Sequence, residues 1–184
     1  WGNSAYATTV MAGFFPIFFK QYWSSGVAAT QSTFYLGVAN SLASLIIVIL
    51  APLLGAIADQ WSARKRFLLF FAFLGVAMTA MLPLVAQGEW LWAVVFYVIA
   101  SIGFSGSISF YDSLIVFVTE PSRLDVVSAM GYALGYLGGG LLFAFNVWMT
   151  LQPELFGLAD AAEAVRLSFF SVALWWLIFT VPLV

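Results

Sequence analysis

Two long uncharged runs, separated by a short polar connection, constrain this chain more than any other feature. Residues 21–58 and 67–88 contain no Asp, Glu, Lys or Arg, whereas residues 59–66 contain four charged side chains. A helix needs about 20 mostly apolar residues to cross the hydrocarbon core of a bilayer. The pattern predicts two membrane-spanning helices, and because their connection is short they must lie side by side and antiparallel.

The composition extends this prediction to the whole chain. Hydrophobic residues make up 64% of the sequence and charged residues 8%, with a mean hydropathy of +1.04, whereas about a quarter of an ordinary soluble domain is charged. A water-soluble fold of this size could not bury so much apolar surface. The eight Trp residues suit the two membrane interfaces, where amphipathic rings are enriched. We therefore expect an all-α membrane protein.

The same length rule divides the chain into six predicted transmembrane helices. Their approximate ranges are residues 1–22, 32–58, 67–86, 90–119, 126–150 and 166–184. Polar residues concentrate in the first and fourth helices and in parts of the second and fifth, while the third and sixth are almost purely apolar. This spacing of three favours two three-helix repeats of inverted topology, as found within each half of major facilitator transporters.

The basic residues predict the orientation of the bundle. In this topology Arg64, Lys65, Arg66 and Arg123 lie on one side of the membrane, and Lys20 and Arg166 lie on the other. Lys and Arg of short loops are retained on the cytoplasmic side. The connection over residues 59–66 is therefore predicted to be cytoplasmic.

The inventory of side chains excludes several classes of function. The chain contains neither Cys nor His, which removes disulfides, thiol nucleophiles and thiolate or imidazole metal sites. Its net charge is −2, from six basic and eight acidic residues, and no basic patch with interleaved aromatic residues indicates nucleic acid as a partner. Paired carboxylates are also missing from the sequence pattern. We expect no cofactor, no metal and no enzymatic activity.

Asp112 is the one carboxylate embedded in an otherwise uncharged span, in the second half of the fourth helix. Ionisable residues within membranes are costly and by default suggest a functional site. In one interpretation Asp112 couples transport to protons. In the other, its carboxylate reaches the inner interface or caps a neighbouring helix.

Neutral polar side chains on three helices could accompany Asp112. Either they form hydrogen bonds between helices, or they line a cavity for a zwitterionic or other polar solute. The scarcity of fixed charge argues against a strongly charged substrate. With Asp112, the candidate cavity residues are Asn3, Tyr6, Thr9, Ser107, Tyr111, Tyr132 and Tyr136.

Three glycines lie on one face of the fifth predicted helix. Gly131, Gly135 and Gly139 recur every four residues, so another helix backbone can approach that face closely. The stripe predicts helix packing. It would also suit a surface on which two helix bundles slide.

The charged connection resembles the loop between the second and third helices of major facilitator superfamily transporters, Gly-x-x-x-Asp-(Arg/Lys)-x-Gly-(Arg/Lys)-(Arg/Lys). Gln60 replaces a basic residue of that pattern, and Ser62 replaces its second glycine. The resemblance implies a cytoplasmic gate in which the acid contacts the opposing bundle in one state. The alternative is purely topological, with basic residues that hold the loop inside. The matching residues, with the next basic residue, are Gly55, Asp59, Arg64, Lys65 and Arg66.

Three further stretches narrow the resemblance: Trp1-Gly-Asn-Ser-Ala-Tyr-Ala-Thr-Thr, Phe110-Tyr-Asp-Ser-Leu, and Val127-Ser-Ala-Met-Gly-Tyr-Ala-Leu-Gly-Tyr-Leu-Gly-Gly. They are similar to the bacterial branch of the superfamily related to the autophagy-linked vacuolar amino-acid effluxer. The resemblance implies the amino-terminal six-helix half of a two-half transporter in the bacterial inner membrane. Its expected partners are the lipid bilayer, a small solute, and a carboxy-terminal six-helix half or a second copy.

Two classes of function follow from the sequence. The first is a secondary transporter, or permease, that moves a small polar solute, such as an amino acid, by alternating access. The second is a membrane scaffold, or an assembly or signalling module, that transports nothing.

Overall fold

The computed structural model describes the backbone of residues 1–61 and 63–183 and the side chains of residues 1–56 and 63–182. Six helical stretches follow one another. We name residues 6–23 α1; the other five are α2 (Ala29–Trp61), α3 (Arg64–Met81), α4 (Trp90–Val118), α5 (Leu124–Leu151) and α6 (Ala161–Thr180). Single 3₁₀ turns occupy Leu82–Leu84, Pro121–Arg123, Pro153–Phe156 and Val181–Leu183. The described part is thus a helical bundle, as the composition predicts.

The bundle has two ends, which we name by one residue each. The Arg64 end carries the α2–α3 and α4–α5 connections, and the Trp23 end carries the other three. At the Trp23 end, Trp23 Nε1 donates a hydrogen bond to the Val85 carbonyl at 3.2 Å, and Arg166 Nε donates to the Pro83 carbonyl at 2.7 Å. These bonds tie the connections together at that end.

The core between the helices is mainly aromatic. Three aromatic residues of α1 are fully buried: Tyr6, Phe15 and Trp23. Tyr97 of α4 and Trp176 of α6 are each only 2% exposed. The rings of Phe15 and Tyr97 stack with centroids 3.9 Å apart. Because α1 meets α4, α5 and α6 through such rings, it lies at the centre of the packing.

Glycines set the close crossing of α3 and α4. A Cβ atom at Gly103 would lie 2.7 Å from the Phe71 carbonyl oxygen, and one at Gly106 would lie 2.6 Å from the Phe71 ring. Gly75, directly opposite, contacts Gly103 on one side and the Trp176 ring on the other. Small residues allow such backbone approach inside membranes, and the sequence pattern did not single out these three.

Five of the described helices, α2 to α6, are long enough and apolar enough to cross a membrane. The outer faces of α2 and α5 expose large apolar side chains, among them Val48 at 69% and Leu151 at 74%. So large an exposed apolar surface is unsuited to water and marks contact with lipid or with another protein surface. α2 and α5 are also the least buried of the five within this bundle.

Four helix starts after α1 differ from the predicted ranges. α2 begins at Ala29 rather than at 32, and α5 begins at Leu124 rather than at 126. α3 begins at Arg64 rather than at 67, because Lys and Arg are good helix formers whose long side chains reach water from a first turn. α6 begins at Ala161 rather than at 166. There, the Asp160 carboxylate accepts a hydrogen bond from the Glu163 amide at 2.8 Å, and the Glu163 carboxylate accepts one from the Ala159 amide at 2.7 Å. The first bond is the N-cap half of a capping box, whereas in the second the Glu163 carboxylate reaches one residue before the N-cap Asp160.

α1 is not the uniform α-helix that the sequence predicts over residues 1–22. Only Phe15–Phe18 is α-helical, and the flanking segments Tyr6–Phe14 and Phe19–Trp23 are π-helical. Pro16 lies at the start of the α-helical turn, and its missing N–H interrupts the regular hydrogen-bond ladder. The wider π turn changes which residues of α1 share a face.

Candidate functional site: a cavity with one carboxylate

A cavity of about 350 Å³ opens at the Arg64 end between α1, α4 and α5, with α3 and α6 behind it. Its volume falls in the range of small-molecule sites. We name it the Asp112 cavity. Six of the eight candidate cavity residues line it: Asn3, Ser107, Tyr111, Asp112, Tyr132 and Tyr136.

The carboxylate of Asp112 is held by a tyrosine of the next helix. Tyr132 donates its hydroxyl to Asp112, with 3.3 Å to Oδ2 and 3.4 Å to Oδ1. This contact joins α4 to α5 across the cavity mouth. Tyr132 is 51% exposed in the bundle, so the carboxylate and its partner face open space rather than the helix core.

The depth of Asp112 follows from the length of α4. Its 29 residues span about 43 Å at 1.5 Å per residue, which exceeds a hydrocarbon core of about 30 Å. A centred helix would project about 6 Å at each end, and Asp112 lies about 9 Å from the last residue, Val118. In a centred, untilted helix the Asp112 Cα would therefore lie about 3 Å inside the edge of the hydrocarbon core, within reach of interfacial water.

Other helix positions shape the cavity wall. Phe104, Ser107, Ile108 and Tyr111 follow one another at helical spacing along one face of α4, and all four line the cavity. Ser107 is only 2% exposed, and its hydroxyl donates to the Phe104 carbonyl at 2.8 Å. The fourth helix thus turns a continuous stripe toward the cavity.

The glycine stripe of α5 divides between two environments. A Cβ at Gly135 would lie 2.6 Å from Ser4 Oγ, and one at Gly139 would lie 2.9 Å from the Ser4 carbonyl oxygen, so α1 and α5 pack closely there. Thr8 Oγ1 also donates to the Gly139 carbonyl at 3.2 Å. Gly131 instead faces the cavity, where its Cβ would lie 3.2 Å from the Tyr111 hydroxyl.

Two of the candidate cavity residues, Tyr6 and Thr9, are not among the residues that line the Asp112 cavity. Both are fully buried, and the Tyr6 hydroxyl lies 3.0 Å from Ser101 Oγ. α-Helical spacing from Asn3 through Thr9 would have put all three side chains on one face of the predicted first helix. The π-helical segment Tyr6–Phe14 breaks that spacing, so Asn3 lines the cavity while Tyr6 and Thr9 point into the core.

The gate pattern lies near a second, smaller cavity of about 180 Å³ at the same end. Gly55, Arg64, Ser109 and Ser113 line it. Arg64 Nη1 donates to the Ser113 carbonyl at 3.3 Å, and its guanidinium lies 4.8 Å from the centre of the Phe117 ring. Arg64 therefore holds the last turns of α4.

Lys65 and Arg66 are exposed in the first turn of α3. The side chain of Asp59 lies outside the described residues.

The aromatic wall of the Asp112 cavity was not predicted. Trp1, Phe104, Trp176 and Phe179 line it beside the tyrosines. The Trp1 and Phe179 rings meet edge to face with centroids 5.8 Å apart. On α6 the helical spacing of Trp176, Phe179 and Thr180 was visible in the sequence, but that helix was described there only as almost purely apolar.

One protein family and two known proteins are similar to this chain. The family described as "Vacuole effluxer Atg22 like" matches residues 24–124 and 116–184. A protein of Bacillus subtilis (strain 168) named "Uncharacterized MFS-type transporter YxiO" is 42% identical over 187 residues, covering 100% of this chain. "Autophagy-related protein 22" of Coccidioides immitis (strain RS) is 24% identical over 194 residues, covering 77% of the chain. No solved structure matches.

The chain spans less than half the length of these relatives. It covers 44% of the Bacillus protein and 31% of the Coccidioides protein.

Proposed function

The chain belongs to the family of Atg22-like vacuole effluxers, and from this premise we propose that it lines the solute path of a secondary transporter that works by alternating access. It is an integral, multi-pass membrane protein and forms one half of a major facilitator fold. Its relatives are transporters and not enzymes. The proposed solute is small and polar, with an amino acid as one candidate.

One observation carries the proposal: the Asp112 cavity brings together polar residues of α4, of α5 and of the segment just before α1 around a single carboxylate. These side chains had no need to converge if their role were only to bond neighbouring helices. Polar groups at membrane depth require protein or water around them. An open cavity of about 350 Å³ supplies both water access and room for a solute.

The partner of this bundle is proposed to be a second six-helix half in the full-length protein. Its Bacillus relative is more than twice as long as this chain. The exposed apolar faces of α2 and α5 suit such a partner, because these helices are equivalent in two inverted three-helix repeats. The solute would then bind between the halves, with the Asp112 cavity as one wall. A second copy of the chain is the alternative partner.

The Arg64 end is proposed to face the cytoplasm of a bacterial inner membrane. Arg64, Lys65, Arg66 and Arg123 lie at that end, and Lys20 and Arg166 at the other, in accord with the excess of basic residues in cytoplasmic loops. The Arg64 contact with Ser113 and Phe117 would belong to the gate on this side. In the proposal, Asp59 supplies the gate's contact to the opposing half.

Flux into liposomes tests the function. We would reconstitute the full-length protein and measure uptake of labelled amino acids with imposed pH gradients of either sign, against protein-free liposomes. Saturable, protein-dependent uptake that reverses with the gradient is expected. Protein-dependent flux absent under both gradients would instead favour the alternative of a membrane scaffold or an assembly or signalling module.

A further inference from the structure

We propose that the Asp112 cavity selects organic cations, and that it recognises a primary ammonium group by the Asp112 carboxylate together with the surrounding aromatic rings. This inference rests on the proposed function and deepens it by naming a solute class. The expectation from the sequence was a zwitterionic or other polar solute.

The charge of the cavity wall is the first observation. Among the described side chains that line the cavity, Asp112 is the only acid and none is Lys or Arg. The carboxylate has one hydrogen-bond partner given by the structure, the Tyr132 hydroxyl. Arg64, the basic residue at the same end, reaches instead to Ser113 and Phe117 on α4. A cation that enters the cavity therefore meets a carboxylate whose charge no basic side chain of the cavity wall offsets.

The aromatic wall is the second observation. Seven of the residues that line the cavity are Trp, Tyr or Phe, and a cation over an aromatic face is attracted by the ring quadrupole. Tyr132 places its ring beside the carboxylate through its own hydroxyl contact. Tyr111 lies close by, because its hydroxyl approaches Gly131, the residue before Tyr132. Rings and carboxylate together are the chemistry that recognises an ammonium group.

The cavity wall offers an anionic group of a solute no charged hydrogen-bond donor from the side chains that the structure describes. A solute carboxylate would have only neutral donors, among them the side chains of Asn3 and Ser4 and the tyrosine hydroxyls. The hydroxyls of Ser107 and Thr180 already donate to backbone carbonyls of their own helices. Charge-assisted hydrogen bonds from Arg or Lys are roughly twice as strong as neutral ones. For this wall, an amine without a carboxylate should therefore bind more tightly than the corresponding amino acid. The volume of about 350 Å³ admits a small amine.

A matched trio of probes tests the inference on the full-length protein in detergent. Isoamylamine is a cation, leucine is a zwitterion of similar skeleton, and isocaproate is an anion. Binding would be measured by calorimetry. We expect isoamylamine to bind at least about tenfold more tightly than leucine, because the leucine carboxylate meets Asp112 and no Lys or Arg of the cavity wall. Isocaproate, which lacks the ammonium group, should bind most weakly.

Variants separate the charge from the rings. Asp112→Asn should lower the affinity for isoamylamine by about tenfold or more, and Tyr132→Leu should lower it more than Tyr132→Phe, which retains the ring. Phe34→Leu, at an exposed aromatic residue of α2 outside the cavity, should leave it unchanged. Thermal unfolding of each variant is the control: an unchanged unfolding temperature shows that a loss of affinity does not come from a loss of folded protein.

Failure of the ammonium proposal can be told apart from failure of the transport proposal, because the first is measured by binding and the second by flux into liposomes. Leucine or isocaproate binding as tightly as isoamylamine, or no binding of isoamylamine, overturns cation selectivity even if liposome flux of another solute persists. Equal affinities of Tyr132→Leu and Tyr132→Phe overturn the role of the ring. The expected binding pattern without flux of any solute would support the ammonium site and contradict transport.

Discussion

The hydroxyl of Tyr6 on α1 lies 3.0 Å from Oγ of Ser101 on α4, and both residues are buried. Tyr97, one turn before Ser101, donates its own hydroxyl to Asn40 Oδ1 of α2 at 2.9 Å. Short polar contacts thus join α1 and α2 to α4. These contacts lie closer to the Trp23 end than the Asp112 cavity does. They hold in place the helices that surround the cavity.

The Tyr6–Ser101 bond should contribute a measurable coupling energy. Tyr6→Phe removes the hydroxyl and keeps the ring, and Ser101→Ala removes its partner. Interhelical hydrogen bonds in membrane proteins average about 0.6 kcal/mol and reach about 1.7 kcal/mol. A double-mutant cycle on the unfolding free energy should return a coupling in this range. Strictly additive single variants would mean that the two hydroxyls do not interact.

Gly103 should tolerate no side chain. In Gly103→Ala the new Cβ would lie 2.7 Å from the Gly75 Cα and from the Phe71 carbonyl oxygen, so α3 and α4 must separate. We expect a loss of about 1–3 kcal/mol in unfolding free energy, typical of overpacking. The measurement is thermal unfolding of the purified full-length protein.

Gly140→Ala provides the matched control for that experiment. Gly140 is also helical, but no atom of a neighbouring element lies within 4 Å of the place that a Cβ would take. Its stability should stay the same or rise by up to about 1 kcal/mol, because Ala is the better helix former. Equal destabilisation of both variants would contradict the close crossing of α3 and α4.

Arg64 should stabilise the last turns of α4 against local opening. Arg64→Ala removes the hydrogen bond to the Ser113 carbonyl and the contact with the Phe117 ring. Hydrogen bonds from charged groups contribute about 1.5–3 kcal/mol, so amide hydrogen exchange over residues 113–118 should accelerate by at least about tenfold. Arg66→Ala, two residues further along α3 and exposed, should leave that exchange unchanged. Identical exchange in both variants would exclude the Arg64 contact.

Much of the fold could be predicted because its signals are local. Uncharged runs of about 20 residues mark membrane helices whatever their neighbours. The start of α6 was missed although its signal was also local. Asp160 and Glu163 have the spacing of a capping box, but the predicted helix begins after them, at residue 166.

Other features depend on contacts between distant residues. Gly103 is distinguished from Gly140 only by the approach of Phe71 and Gly75, which no pattern within α4 reveals. The face of α1 depended on its helix type: the sequence treated Asn3, Tyr6 and Thr9 as one α-helical face, and the π-helical segment Tyr6–Phe14 separates them. For the cavity, polar residues in apolar helices gave a signal, whereas aromatic wall residues such as Trp176 looked like any other apolar side chain.

Gradient-driven flux through an Asp112→Asn variant tests the central claim most directly. The substitution keeps the shape of the side chain and removes its charge, so the helix packing should persist. Glu120→Gln, at an exposed carboxylate in the α4–α5 connection, serves as the control. We predict that Asp112→Asn folds normally and loses most of the flux driven by a pH gradient in liposomes, while Glu120→Gln retains it. Undiminished gradient-driven flux in folded Asp112→Asn would contradict the account.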